Sequence, residues 1–318
     1  MVPRRPVTER RMRLFHSPKY FADLGDHVMP IHKFALVRAG IEASGLPATL
    51  LEPSRATDAD LLRVHTADYI RAVDTGEPRA LAESQKFPWS RGLAEAVRWT
   101  NGGCVAGVYA ALEDGVAGNL ASGFHHSHRA RGEGYCTFNG LVVGYEHARS
   151  VGRLRRALVI DMDLHYGNGT AFLCADRPEL YQLSIYGNRY DQNLAYRDVA
   201  ARRTPDTENA RSIAVPNGAG RDEYLGILAA HLDTMIDVAR PELLFFQAGA
   251  DPYKEDPYSP LDLDHDALKA RDAYVFETCR RRGVPVLWVL AGGYTKDVTK
   301  VVQVHVNTFL AASDVFGR

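Results

Sequence analysis

The chain lacks any run of the roughly 18 consecutive apolar residues that a membrane-spanning helix needs, so no such span is expected. Cysteine is scarce: Cys104, Cys136, Cys174 and Cys279 are widely spaced and form no C-x-x-C pair. That argues against a disulfide framework or a thiolate metal site, and for buried free thiols in a reducing cytoplasm. Neither charge is in excess, since 38 Lys and Arg against 39 Asp and Glu leave a net charge of −1. Without a positive field, the attraction that draws proteins to nucleic acid is missing, and nucleic acid is not expected as a ligand. Arg4, Arg5, Arg10 and Arg11 crowd the N-terminus with no apolar segment behind them, so residues 1–11 read as a flexible arm, not a secretory signal. Nor is there a Gly-, Ser- or Pro-rich linker, and residues 1–318 read as one large domain located in the cytoplasm. What is present, 46% hydrophobic and 24% charged residues, is the balance of a chain able to bury a substantial core.

The most informative stretch is residues 157–170, where Ala157, Leu158, Val159 and Ile160 lead into Asp161, Asp163 and His165, followed at once by Gly167 and Gly169. A short apolar run bounded by glycines predicts a strand buried on both faces, and the carboxyl end of such a strand is where parallel sheets place ligands. Alternation along an extended segment lets Asp161, Asp163 and His165 project to one side. Taken alone, the same residues also read as a helix-capping Asp beside a core histidine.

The rest of the chain alternates strand and helix signals. Strands are predicted near 13–17, 116–121, 157–161, 180–186, 242–249 and 285–290, and helices near 33–43, 58–62, 92–114, 141–151, 170–175, 222–238, 264–282 and 298–312. Within 92–114, Gly102 and Gly103 cost about 1 kcal/mol each relative to Ala, which predicts either a tight contact or a break there. His27, His32 and Lys33 fall in the loop 25–33, where they either line a site or are solvated loop residues, the second being the better reading when they are taken alone. Residues 188–211 are polar and read as a long surface loop of the kind that shapes binding sites. Arg280, Arg281 and Arg282 before Gly283 read as a helix terminus, with cations on its negative end. Strands alternating with helices imply an α/β fold with a doubly wound, mostly parallel sheet.

Four predicted strand ends carry reactive residues: His125 and His126; Asp161, Asp163 and His165; Asp251; and Gly292, Gly293 and Tyr294. Parallel strands open their carboxyl ends on one face, so these can meet. Asp163, His165 and Asp251 would then supply two carboxylates and an imidazole, a donor set suited to a catalytic zinc with an open position. The histidine pair would supply acid and base, with Asp161 or Asn168 as an orienting partner. Tyr294, behind two glycines, could donate to an oxyanion. Together these are the parts of metal-assisted amide hydrolysis.

The stretches Gly123-Phe-His-His126, Gly134-Tyr-Cys-Thr-Phe-Asn139, Val159-Ile-Asp-Met-Asp-Leu-His-Tyr-Gly-Asn-Gly169, Gln247-Ala-Gly-Ala-Asp251 and Gly292-Gly-Tyr294 stand in the order of the motifs of the zinc-dependent histone deacetylase superfamily. The chain resembles that superfamily from about residue 13 to 310, most of all its bacterial and class IV branch. The resemblance implies the arginase/deacetylase fold, a three-layer α/β/α sandwich. It implies zinc on Asp163, His165 and Asp251, a catalytic His125–His126 pair supported by Asp161 and Asn168, and Tyr294 on the oxyanion. It also implies a structural potassium ion held by Asp161, Ser184 and carbonyls around Asp163, His165 and Ile185. Tyr135, with Gly134 and Gly293, would line the substrate tunnel.

Departures from the family pattern are Ser127 and His128 after the histidine pair, Gly140, Tyr186, Ala291, and the loop 188–211. They leave the implied chemistry intact and bear on what enters the site. The implied activity is removal of acetyl or longer acyl groups from acyl-lysine in a peptide or protein. The alternatives are an acylated small amine such as an acetylpolyamine, for which Glu133, Asp191 and Glu255 are available acids, and an inactive metal-containing binding module.

Overall fold

The computed structural model describes residues 11–187 and 206–317. Eight strands, β1 (Met12–Phe15), β2 (Ala48–Leu51), β3 (Val116–Ser122), β4 (Ala157–Asp161), β5 (Leu180–Tyr186), β6 (Ala210–Ala214), β7 (Leu243–Gly249) and β8 (Val286–Ala291), form one sheet in the order β2-β1-β3-β8-β7-β4-β5-β6. Every neighbouring pair is parallel. The expected sheet was mostly parallel; among the described residues it is entirely so.

Period-two alternation sorts the central strands into two cores. Leu158, Ile160, Leu244, Phe246, Val286 and Trp288 face one side, where they pack with residues of helices Lys33–Ala43, Arg221–Ala239, His265–Arg282 and Val298–Phe316. Val159, Phe245, Leu287 and Val289 face the other, against helices Arg91–Asp114 and Gly140–Ser150. Three layers result, as in the expected sandwich. Since the buried strands present apolar side chains on both faces, only their carboxyl ends are left for chemistry. β3, β8, β7 and β4 are adjacent, so the segments leaving Ser122, Ala291, Gly249 and Asp161 emerge side by side.

The helix Arg91–Asp114 runs unbroken for 24 residues, capped by Ser90 Oγ accepting from the Leu93 N–H and by Gly115 at φ +88°. Gly102 and Gly103 within it mark contacts, not a hinge. A methyl group on Gly102 would overlap the Ser54 carbonyl, and one on Gly103 would strike Tyr20 and Asn119, whose Oη–H and Oδ1 are paired at 2.8 Å. The Arg280–Arg282 triplet occupies the last turn of its helix before Gly283 at φ +66°, and Arg281 and Arg282 pair with Asp233 and Asp237. All four cysteines are free and buried. Among the described residues no helix is long and apolar enough to cross a membrane.

Two strands escape the sequence pattern. β2 is a four-residue edge strand, only partly buried, and too short to show a period. β6 begins at Ala210, inside the expected loop 188–211, because an edge strand of alternating exposure carries little apolar signal. Residues 188–205 of that loop, and residues 1–10 of the N-terminal arm, lie outside the described residues.

The same substitution should therefore have opposite signs at two helical glycines. Gly226→Ala, in the middle of Arg221–Ala239 with nothing within 4 Å of the added methyl, should stabilise the protein by about 0.5–1 kcal/mol through helix propensity. Gly102→Ala should destabilise it by about 1–3 kcal/mol despite the same gain, because the neighbour it meets is backbone. Urea unfolding of both variants checks this.

Candidate active site

The turn after β4 is wound around its own acids. Asp161 Oδ1 accepts from the Asp163 N–H at 3.2 Å, Asp163 Oδ1 from the His165 N–H at 2.9 Å, and Asp251 Oδ1 from the Leu164 N–H at 3.0 Å. These bonds bring the loops after β4 and β7 together. Donor atoms of Asp163, His165 and Asp251, all buried, lie within 4.8 Å of one another. Glycines make the crowding sterically feasible: a methyl on Gly292, at φ +46°, would fall on the Asp251 carboxylate, and one on Gly249 would strike Asp163 Cα.

Two buried carboxylates this close need a positive charge. His165 Nδ1 lies 3.1 Å from Asp163 Oδ1 and 3.0 Å from Asp251 Oδ2. Burial pulls the His165 pKa down, but bonds to Asp163 and Asp251 outweigh it and lift it to about 10. Burial likewise raises Asp251, yet His165 brings it down to about 2, while Asp163 is raised by burial and by Asp251. A proton on His165 thus occupies electrostatically the place that a divalent cation would take, and this donor set fits zinc.

The histidine pair stands beside this group, with ring centroids 3.9 Å apart. Each Nδ1 is anchored: His125 to Asp161 Oδ2 at 2.7 Å, His126 to Asn168 Oδ1 at 2.6 Å. Both expected orienting residues are therefore used, one per imidazole. Burial lowers the His125 pKa but Asp161 and Asp163 more than compensate, leaving it raised; burial, His125 and His165 push His126 well below its ordinary value.

A tight turn sets the wall. Glu133 and Cys136 are paired by N–H···O bonds of 3.1 and 2.8 Å across Gly134 (φ +51°) and Tyr135 (φ +64°), the signature of a type I′ turn. Gly134 lies against the His126 ring where a side chain would collide, and Tyr135 stacks on Phe87 at 5.4 Å and faces Tyr294 at 6.2 Å. Tyr294 follows Gly293 (φ +90°), its N–H donating to Asp256 Oδ2 at 2.7 Å and its ring 6.4 Å from that of His165. Tyr135 and Tyr294 line a pocket together with His125, His126 and Asp163, and its other walls include the apolar Phe34, Leu93 and Val97.

The residues expected to hold potassium are also neighbours. Asp161 and Ser184 are register partners on β4 and β5, Ile185 follows, and Ser184 Oγ accepts from the Gly167 N–H at 3.2 Å. The sequence reading missed several supporting residues. Lys33, expected in solvent, is buried at the start of its helix and donates to the Gly292 carbonyl; burial lowers its pKa to about 8 against the pull of Asp251, Asp163 and Asp256. That correction has a physical origin: the apolar face of Lys33–Ala43 packs on the core and carries its first residue inward. Asp256, beneath Tyr294, and Arg271, whose Nη1 donates to the Gly249 carbonyl at 2.7 Å, had no sequence signal beyond their type. Of the acids considered for a polyamine site, Glu133 is buried against Asn168, Glu255 pairs with Lys300 at the surface, and Asp191 lies outside the described residues.

The histone deacetylase domain profile matches residues 27–309, and on that match the chain belongs to the histone deacetylase family. It is accordingly a hydrolase of that family, whose members act on amides. An uncharacterized protein of Picosynechococcus is 30% identical over 95% of this chain and 98% of its own length. Histone deacetylase 2 of Arabidopsis thaliana is 30% identical over 80% of this chain and 65% of its own. The histone deacetylase-like amidohydrolase of Pseudomonas aeruginosa is 28% identical over 80% and 69%. The fold is that of the HD domain of HDA15 (TM-score 0.80, 17% identity, 97% of this chain and 90% of that one) and of acetylpolyamine aminohydrolase from Burkholderia pseudomallei (0.75, 19%, 96% and 99%).

Metal binding should displace the His165 proton. Because the pKa of His165 is raised, its proton stabilises the metal-free protein fully below about pH 6.5 and is lost as pH climbs through about 10. At pH 7, zinc should release about one proton per ion, and affinity should rise with pH; calorimetry in buffers of different ionisation enthalpy reads this directly. Asp251→Ala should abolish stoichiometric zinc binding.

Proposed function

We propose that the protein is a zinc-dependent deacylase that hydrolyses the amide of N-acylated lysine in a peptide or protein. The observation that carries this reading is the convergence of an Asp–His–Asp group, two imidazoles each anchored at Nδ1, and a tyrosine, at a pocket walled by aromatic rings. Asp163, His165 and Asp251 would hold the zinc ion, which when bound supplies Lewis acidity to a carbonyl and acidifies water. Asp161 and Ser184, with carbonyls around Asp163, His165 and Ile185, would hold potassium as a structural ion.

His126 receives the proton of the attacking water and returns it to the leaving amine. Its low pKa keeps it unprotonated at neutral pH, as a base requires. His125, whose pKa is raised by Asp161 and Asp163 against the effect of burial, stabilises negative charge as it develops. Tyr294 donates its hydroxyl to the oxyanion, its backbone fixed by Asp256. Tyr135 packs along the methylene stem of the lysine, with Gly134 and Gly293 keeping the passage open. The apolar walls formed by Phe34, Leu93 and Val97 receive the acyl group, which suits acetyl and longer chains. An acetylpolyamine substrate is the second reading, but Glu133, one of the acids considered for it, is engaged with Asn168 and Arg131.

Acyl-lysine peptides of increasing chain length and acetylspermidine, each with and without chelator, test the proposal. Chelator-sensitive turnover of at least one peptide, exceeding that of acetylspermidine, is expected; no turnover of any peptide sinks it. Tyr294→Phe should lower kcat about 10²- to 10³-fold while zinc content stays unchanged.

A further inference from the structure

The His126–Asn168 contact does not stop at the amide. Asn168 Nδ2 lies 3.0 Å from Glu133 Oε1 and 3.2 Å from His128 Nε2. Glu133 Oε2 in turn takes Arg131 Nη2 at 2.7 Å and has His128 Nε2 at 3.4 Å. The type I′ turn that holds Gly134 against the His126 ring also carries Glu133, so one backbone feature fixes both ends of this chain.

A carboxamide has a donor end and an acceptor end, and its neighbours decide which points where. His128 cannot decide, since a ring nitrogen accepts or donates according to tautomer. An ionised carboxylate only accepts. Burial pushes the Glu133 carboxyl up, but His128 and Arg131 bring it down to about 2, so it is ionised at neutral pH. The NH₂ of Asn168 must then face Glu133, which leaves Oδ1 for His126. An oxygen there accepts only from a protonated Nδ1, and the neutral imidazole must carry its lone pair on Nε2.

The geometry points to Glu133 as a positioning residue that acts through the Asn168 amide to hold His126 in the Nδ1–H tautomer, the one that leaves Nε2 free to take a proton. This deepens the deacylase reading and rests on it for its catalytic consequence, though not for the tautomer itself. Asn168 alone is ambiguous, because a neutral amide turned over would stabilise the opposite, unproductive tautomer equally well. His125 needs no such help, since its own partner is a carboxylate.

The test is nitrogen NMR of the full chain, ¹⁵N-labelled at histidine and loaded with zinc, with the His126 signals identified by their loss in His126→Gln. The unmodified protein should show a protonated Nδ1 and a bare Nε2 at neutral pH; the reverse overturns the inference with no positioning variant needed. Glu133→Gln, which can offer either end of an amide, should populate both tautomers and lower kcat about 10- to 100-fold with KM nearly unchanged. Adding Asn168→Asp to Glu133→Gln restores an acceptor that cannot turn over, and should remove the Nε2–H tautomer of the neutral ring. A Glu133→Gln protein that keeps one tautomer and full kcat overturns the inference, as does a double variant that still populates the Nε2–H tautomer. If no protein turns over acyl-lysine while the tautomer changes as described, the deacylase reading fails and this inference holds.

Discussion

The site is built around the proximity of two buried carboxylates, Asp163 and Asp251, to a single imidazole nitrogen of His165. Burying an unpaired carboxylate costs several kcal/mol, and burying two together costs more. The surroundings answer this in layers. Backbone N–H groups of Leu164 and His165 satisfy one oxygen of each acid, and glycines at 249 and 292 give them room. Positive charge stands one step further out: Lys33 donates to the Gly292 carbonyl and Arg271 to the Gly249 carbonyl, with Asp272 as the neighbour of Arg271 at 2.7 Å. Buried cations thus brace the loops without neutralising the acids. The inner position stays negative, and a proton or a metal ion is what completes it.

The parts legible in the sequence are those in which one residue type at one place has few structural uses. The β4 segment is apolar up to Ile160 and then carries Asp, Asp and His at alternate positions, and β7 beside it and β8 one strand further on break off with equal abruptness at Asp251 and Gly292. Parallel strands must end together, so the meeting of these loops follows from topology. The helix ends at Gly115 and Gly283 were equally readable, because glycine terminates a helix by local chemistry. Lys33, Asp256 and Glu133 were not, for one common reason. Each is a charged residue that belongs at the surface by type, and each is drawn inside by a partner distant in sequence, Gly292, Tyr294 and Asn168 respectively. Periodicity records which face is apolar; it does not record which polar residue will find a partner there.

The two imidazoles show how little separates two electrostatic roles. His125 and His126 are adjacent, equally buried, and anchored through the same ring nitrogen at nearly the same distance. Their partners differ by one functional group. Asp161 brings a full negative charge and raises the His125 pKa, whereas Asn168 brings only a dipole and leaves burial and the neighbouring imidazoles to depress that of His126. Two carboxylate partners would favour a proton on both rings at once, which their 3.9 Å separation penalises. A neutral amide at 168 avoids that conflict and keeps one ring unprotonated. It also gives up the directional certainty of a carboxylate, and the ionised Glu133 behind it supplies that direction from a place where its charge is already matched by Arg131.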